Sequence, residues 1–432
     1  MIAMQLMVKC NRRLLFNRNK SFYNAYSNMR SPSHCVTEDD LNKKTSSIVD
    51  FYNGKSIFIT GGTGFLGKMY IRNILHRCPG ICKIYMLIRP TSKNSVESRL
   101  EDMIKNSMNL FEGLNENHFM KLVPIEGDVT APNLGIHPDK KRLLQEQVSI
   151  IVHSAATLDI NATLREAYHV NVIGTENLLA VAKDMKKLHA FLHLSTFYCC
   201  MTNEKNAIEE KVYSPPLYVK DVPKTLEKYG HMRFPPQSLL KNKQNTYIFT
   251  KAISEYLVSS THGDIPTAII RPSLIGCSNK DPYKGWIDVF NIHSFILTAI
   301  SNGFLRILNI NKNTVWDFIP VDYVANLMIL AATKCKKSTQ VDIYNCASSG
   351  INPVTILSAC SIFISDFVTN KKNQIKFFGG HSWKAKSDHV TSLINSLSDE
   401  DRKKFPCDPS DIDWVEYFRE YSKGIRNYLS KN

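Results

Sequence analysis

The strongest constraint on the fold is a glycine-rich turn, Thr60-Gly61-Gly62-Thr63-Gly64-Phe65-Leu66-Gly67, set directly after the apolar run Ser56-Ile57-Phe58-Ile59. A short apolar run closing on glycines reads as a buried strand, and Lys68 to Arg77 reads as the helix that follows it. Gly61, Gly64 and Gly67 serve separate ends: a tight turn, close approach of backbone N–H groups to a pyrophosphate, and close packing of helix on strand. A phosphate held there meets the positive end of the helix dipole. A second apolar run, Lys83-Ile84-Tyr85-Met86-Leu87-Ile88, supplies the next strand. In this strand–turn–helix–strand context the loop predicts a bound dinucleotide, with Thr63, Phe65 and Leu66 among its contacts.

The residues after the second strand narrow the cofactor. A site that prefers NAD usually places Asp or Glu about 20 residues beyond the glycines, bonded to the ribose 2′-OH. Here the strand ends in Arg89-Pro90. A guanidinium clamps a 2′-phosphate that a carboxylate would repel, so the expected cofactor is NADP(H). Asp128, after Val123-Pro124-Ile125-Glu126-Gly127, falls where an adenine contact is expected. A further strand, Ser149-Ile150-Ile151-Val152, runs into His153-Ser154-Ala155-Ala156-Thr157, where Ser154, Ala155 and Ala156 are small enough to leave room for the cofactor.

The chemistry is expected at Tyr247-Ile248-Phe249-Thr250-Lys251. Phe249, Ala252, Ile253 and Tyr256 follow the i, i+3, i+4, i+7 pattern of a helix facing a core. Tyr247 and Lys251 share another face, roughly 6 Å apart. A phenol with an ordinary pKa near 10 is a poor acid or base at neutral pH, and a cation one turn away stabilises its phenolate. The third member should close another strand. Ala190-Phe191-Leu192-His193-Leu194 is that strand, and Ser195-Thr196 follow it; a hydroxyl there orients a substrate carbonyl. Spacing does not choose between the two, and Thr196 is preferred. Asn171 is a candidate for holding a water that relays protons to Lys251. His189 and His193 lie about 13 Å apart along a strand, which excludes them as a metal pair.

These motifs, in this order, resemble the extended short-chain dehydrogenase/reductases, and more narrowly the alcohol-forming fatty acyl-CoA reductases of eukaryotes, particularly those of insects. The resemblance is carried by Phe51 to Lys55, Thr60 to Gly67, Ile84 to Pro90, Ile125 to Thr130, Asn133 to Ile136 and His153 to Thr157. It continues through His193 to Tyr198, Glu209 to Tyr213, Tyr247 to Lys251, Ile270-Arg271-Pro272-Ser273 and Phe318 to Asp322. The ending Ile412-Asp413-Trp414, Tyr417 and Gly424-Ile425-Arg426 is similar to the close of that family's second domain. It implies further cofactor contacts at Val129, Arg271 and Pro272. It also implies hydride transfer from NADPH to the thioester carbonyl of a fatty acyl-CoA, loss of CoA to give a bound aldehyde, and a second reduction to the alcohol. Two departures bear on substrate range. Where relatives place Pro before Gly-Trp and Asn after the Asp, this chain has Lys284-Gly285-Trp286-Ile287-Asp288-Val289, and Asn291-Ile292-His293-Ser294-Phe295 replaces a glycine-rich stretch. The second domain is also shorter between Asn352-Pro353 and Phe377-Phe378.

Composition fits this reading. A chain of 432 residues with 43% hydrophobic content suits two domains plus tails. The division expected is a basic tail over 1–50, an NADP-binding reductase domain with substrate-binding insertions over 51–350, and a shortened C-terminal domain over 351–432. A net charge of +15 suits an anionic ligand such as coenzyme A, or an anionic membrane surface. With lysines dispersed and no nucleic-acid motif, nucleic acid is not the expected partner. The 11 cysteines have no paired zinc spacing, so no metal is expected, and they point to a reducing compartment. Residues 1–37 lack Asp and Glu and alternate basic with apolar residues, which fits either a mitochondrial transit peptide or a basic tail. Nothing approaches the length of a membrane span, so membrane association is expected to be peripheral, at the cytosolic face of endoplasmic reticulum, peroxisome or lipid droplet, or else the protein is mitochondrial.

The expected fold is α/β: a doubly wound parallel Rossmann sheet with helices on both faces, alternating from Lys55 to about Ser195, followed by a small helical C-terminal domain. The insertions at roughly 200–245 and 275–315 are expected to bind substrate, and the active site to lie at the carboxyl ends of the strands. A reductase stopping at aldehyde and a non-catalytic NADP-binding protein are the alternatives; the Tyr247/Lys251 pair argues against the second.

Overall fold

The computed structural model describes residues 47–159, 161–200, 207–241, 243, 245–305, 307–308, 311–367, 376–377 and 382–429; nearly all of the basic N-terminal tail expected over 1–50 lies outside them. Its centre is a sheet of seven parallel strands: β1 (Ser56–Thr60), β2 (Lys83–Ile88), β3 (Leu122–Glu126), β4 (Ile150–His153), β5 (Ala190–Leu194), β6 (Thr267–Pro272) and β7 (Asp342–Cys346). They lie in the order β3-β2-β1-β4-β5-β6-β7. Chain order reverses between β1 and β4, and in sheets of this kind that crevice receives the ligand.

The strands read as nearly unbroken apolar runs because both of their faces are covered. Successive side chains point to opposite faces, and two cores result. Ile57, Ile59, Ile150, Val152 and Leu192 join one, together with the helices α1 (Phe65–Arg77) and α5 (Val321–Ala332). Phe58, Ile151 and Phe191 join the other, with Leu178, Leu179 and Ala182 of α2 (Gly174–Lys183). Every residue of α5 is buried, which accounts for its having no polar face.

Register sets the height of the site. Thr60 pairs with His153, and His153 with His193, so β1, β4 and β5 end on one level. The glycine turn, the Ser154–Thr157 segment and Ser195-Thr196 therefore leave the sheet side by side.

The C-terminal region is helical, as expected, and packs into the first core. Tyr417, Phe418 and Tyr421 of α7 (Trp414–Gly424) are fully buried there. Tyr421 shares a hydrogen bond of 2.9 Å with Ser294 on α4 (Ile292–Ser301), and the Tyr417 hydroxyl donates to the Cys277 carbonyl at 3.1 Å. A parallel pairing of Lys384–Ala385 with Ala207–Ile208 ties the C-terminal region to the first insertion.

Gly61 and Gly67 take the turn and packing roles that their spacing implied. Gly61 has φ +73°, and a Cβ on it would lie 2.7 Å from the Ala155 nitrogen. A Cβ on Gly67 would lie 2.3 Å from the Gly61 carbonyl oxygen and 2.7 Å from the Gly62 Cα, so this glycine lets α1 sit on the turn. On Gly64 the nearest atom would be 3.3 Å away. Gly67→Ala should therefore destabilise the protein by about 1–3 kcal/mol in denaturant titration, the usual cost of an overpacked site, and Gly64→Ala by much less. Equal losses would remove the packing role from Gly67.

Candidate active site

The glycine turn ends in a helix start open to a ligand. Gly64 is the N-cap of α1 and offers no side-chain cap, so the first-turn N–H groups of Phe65, Leu66 and Gly67 lie free of intrahelical partners at the carboxyl end of β1. Thr63, Phe65 and Leu66 are only half-buried here. Beside them the Ser154 and Ala155 N–H groups donate to the Thr60 carbonyl and hydroxyl at 3.1 and 3.2 Å, fixing the small Ser154–Ala156 segment against the turn. A dinucleotide fits this arrangement: the uncapped N–H groups at the start of α1 lie beside the crevice where the strand order reverses.

Part of the 275–315 insertion, expected to bind substrate, lies over the cofactor turn. Lys68 forms an ion pair with Asp288, and Phe65 stacks on the fully buried Trp286 with ring centroids 5.2 Å apart. The loop that departs from the family pattern thus lies across the start of α1. The Gly285-Trp286 pair was the signal, but only the fold reveals its partner, Phe65.

At the end of β2, Arg89 is two-thirds exposed, and its guanidinium is 3.9 Å from the Asp128 carboxylate. Asp128 also accepts from the Thr130 N–H and hydroxyl, both at 2.9 Å. Arg99 donates to the Arg89 carbonyl, which brings a second guanidinium to the same corner. Val129 is buried against Gly174, and its carbonyl accepts from Asn177 at 2.9 Å, which holds α2.

The catalytic candidates converge at the end of β5. The helix α3 (Thr246–Thr261) begins at an Asn245 side-chain cap, which puts Tyr247 in its first turn. Tyr247 lies beside Thr196, whose hydroxyl favours the ionised phenol. Lys251 is buried one turn on and donates to the Leu194 carbonyl at 2.5 Å. The choice left open between the two hydroxyls is decided by direction. Ser195 faces the other way, 3.4 Å from the Cys199 sulfur and bonded to Glu255, so its expected catalytic role passes to Thr196.

One expected role changes. Arg271 and Pro272 lie in the buried β6–β7 ladder. A fully buried guanidinium needs a counter-charge, and Arg271 pairs with Glu255 of α3 while also donating to the Glu209 and Lys211 carbonyls at 3.0 and 2.6 Å. Its side chain braces the fold rather than a cofactor. Asn171 sits in the turn His169–Ile173 and is buried; its oxygen accepts from the Thr157 N–H at 3.0 Å and its amide donates to the Thr250 hydroxyl at 3.0 Å. It brackets the β4 end against α3 beside Lys251.

Electrostatics follow from burial. Burial brings the Lys251 ammonium down to about 8, against Cys199 and Glu255, which raise it. The expectation that Lys251 would draw the Tyr247 phenol down is overturned. Burial and Cys199 push the phenol above its usual value, and the Thr196 hydroxyl only partly opposes them. A phenol held protonated suits a proton donor. Below this pair, Thr60, His153, Thr175, Ser254 and His193 form a continuous buried hydrogen-bonded row with steps of 2.8, 2.9, 3.1 and 3.2 Å. Burial, then the Lys251 charge, hold His153 at about 3 and His193 well below its usual value, so both rings are neutral. His193 thus packs beside His153, with ring centroids 5.4 Å apart.

Comparison with known proteins agrees with this geometry. Residues 59–328 match a protein family described as "Male sterility protein", and residues 362–432 match a second family with the same description. Fatty acyl-CoA reductase 1 of Gallus gallus is 32% identical over 89% of this chain and 86% of its own length. Fatty acyl-CoA reductase 2 of Mus musculus is 30% identical over 89% and 87%. Among solved structures, the terminal R domain of the myxalamid PKS-NRPS pathway has a TM-score of 0.65 at 17% identity, covering 87% of this chain and 92% of that one. UDP-glucuronic acid 4-epimerase from Bacillus cereus in complex with NAD has a TM-score of 0.55 at 17% identity, covering 87% and 98%. These distant structures establish the fold alone. With a nicotinamide-dinucleotide fold, a Thr/Tyr/Lys constellation at its ligand crevice and these relatives, the chain belongs to the fatty acyl-CoA reductase family of extended short-chain dehydrogenase/reductases and is an oxidoreductase.

Proposed function

We propose that the protein reduces fatty acyl-CoA to the primary alcohol with NADPH, through a retained aldehyde and with release of CoA. The observation that carries this reading is the meeting of Thr196, Tyr247 and Lys251 beside the dinucleotide turn in a chain of this family. NADPH, when bound, supplies the hydride. The first-turn N–H groups of α1 would hold its pyrophosphate, with Arg89 and Arg99 at its 2′-phosphate. Thr196 and Tyr247 donate hydrogen bonds to the substrate carbonyl and stabilise the oxygen as negative charge develops there. Tyr247 then gives up its proton, and Lys251 stabilises the phenolate left behind. The same donors serve the aldehyde carbonyl once the thiolate has left. Val289, Phe290, Ile292, Phe295 and Phe304 are exposed apolar residues around α4; they support contact with a fatty chain or with the surface of a bilayer. Among the described residues no helix is long and apolar enough to cross a membrane, and the association proposed is peripheral.

Tyr247→Phe should lower turnover by at least ~10²-fold, the scale of a general acid, while NADPH binding by fluorescence titration stays near normal; unchanged turnover would remove the acid from Tyr247. Since Lys251 loses its proton as pH rises through about 8, kcat/KM for reduction should fall on the alkaline side of that value. A profile flat from pH 7 to 10 would count against a role for the ammonium.

For the cofactor, Arg89→Ala should weaken NADPH by ~10- to 150-fold, the loss of a charge-assisted contact, and leave NADH nearly untouched. Equal losses would give Arg89 a different task.

The product is read from stoichiometry. Two NADPH should be consumed per CoA released, with alcohol as the product in gas chromatography. A ratio near one, with aldehyde trapped by hydrazine, would make the enzyme aldehyde-forming.

A further inference from the structure

Behind the catalytic pair lies a buried cluster that the reduction does not use. Thr196 leads directly into the turn Phe197–Cys200, which ends in adjacent cysteines. Both are buried, with sulfurs 3.5 Å apart. The Cys199 sulfur is 3.4 Å from one Glu255 carboxylate oxygen, and the Cys200 sulfur 4.0 Å from the other. The three ligand atoms lie within 4.8 Å of one another, and the Ser195 hydroxyl is 3.4 Å from the Cys199 sulfur. The Cys199 carbonyl is anchored by the Lys243 ammonium at 2.6 Å. The turn is thus held from two sides.

We propose that Cys199, Cys200 and Glu255 form a binding site for a thiophilic divalent cation of the zinc class, with the Ser195 hydroxyl or a water as fourth ligand. In a tetrahedral zinc site with Zn–S of about 2.3 Å and Zn–O of about 2.0–2.2 Å, two sulfurs stand roughly 3.8 Å apart, and sulfur and oxygen roughly 3.5 Å. The sulfur–sulfur and Cys199–Glu255 separations are within a few tenths of an ångström of those edges; the Cys200 sulfur meets the other carboxylate oxygen at 4.0 Å, so the carboxylate must turn to bring one oxygen to both sulfurs. Charge also balances. A divalent cation replaces two thiol protons, so the net charge of the pocket is unchanged and the Arg271–Glu255 pair stays matched. Thiolates select such cations over magnesium or calcium, which take oxygen ligands. No chelating spacing along the chain betrays the site, because two ligands are adjacent and the third comes from α3. A cation bound there would clamp the turn that follows Thr196 to the helix that carries Tyr247 and Lys251.

Cobalt is the spectroscopic probe. Reduced, nucleotide-free protein titrated anaerobically with Co²⁺ should develop a near-ultraviolet thiolate-to-cobalt charge-transfer band that saturates at one equivalent and is bleached by one equivalent of Zn²⁺. Cys199→Ser/Cys200→Ser should abolish the band, and Cys82→Ser, at an exposed cysteine, should keep it. Absence of the band in the wild type, or its persistence in the double variant, would overturn the proposal. Should the double variant fail to fold, zinc-edge X-ray absorption on wild-type protein loaded with one equivalent decides the matter. Two sulfurs with oxygen ligands support the site, and four sulfurs or imidazole nitrogens refute it.

Discussion

The buried ion pair between Arg271 and Glu255 fixes the geometry on which the rest depends. Tyr247, Lys251 and Glu255 recur every four residues, so they form one stripe along α3. Glu255 is the deep end of the stripe, and Arg271, on β6, pins it to the sheet. Burial alone pushes the Glu255 carboxyl up, but the Arg271 charge and hydrogen bonds outweigh it and hold Glu255 ionised. With that end fixed, the rotation of the helix about its axis is fixed too. Lys251 then meets the Leu194 carbonyl and Tyr247 meets Thr196. An isolated pair of this kind adds little stability, because desolvation offsets attraction. Its value lies in direction: no apolar contact would orient the stripe so narrowly.

Much of this was legible in the chain. The glycine turn, β1, β2 and the end of β5 follow from local pattern, because buried parallel strands are short apolar runs and a dinucleotide turn requires glycine at set positions. Tyr247 and Lys251 follow from helical spacing. What the chain hides is direction. Ser195 and Thr196 are neighbours of similar chemistry, and only the strand's exit angle sends one hydroxyl to Tyr247 and the other to Glu255. Arg271 stands in a family-like motif at a strand end, yet its partner lies 16 residues earlier on α3. The partners of Asn171, Thr157 and Thr250, come from two separate elements.

The electrostatic design also differs from the simple picture of a lysine lowering a tyrosine's pKa. At the end of β5 desolvation acts on both groups, raising the phenol and lowering the ammonium. The two shifts move donor and cation apart, and both favour neutral forms in a dry pocket. The two neutral histidines below add no charge to it. A protonated phenol beside a substrate carbonyl is the arrangement that reduction needs, whereas oxidation of an alcohol would need the phenolate.

The same logic joins the C-terminal region to the cofactor turn. Gly285 has φ +81°, and a Cβ on it would lie 2.4 Å from the Glu420 carbonyl oxygen; a Cβ on Gly424 would lie 1.9 Å from the Gly285 carbonyl oxygen. Two glycines therefore let α7 and the 284–288 loop touch backbone to backbone. That contact sets Trp286, which stacks on Phe65, and the loop's Asp288 pairs with Lys68 on α1. A displacement of α7 would pass through rigid backbone to the residues at the helix start where the pyrophosphate is expected. The C-terminal helix is in this sense a wall of the cofactor site, and its place there follows from glycines too far apart in the chain for any local pattern to link them.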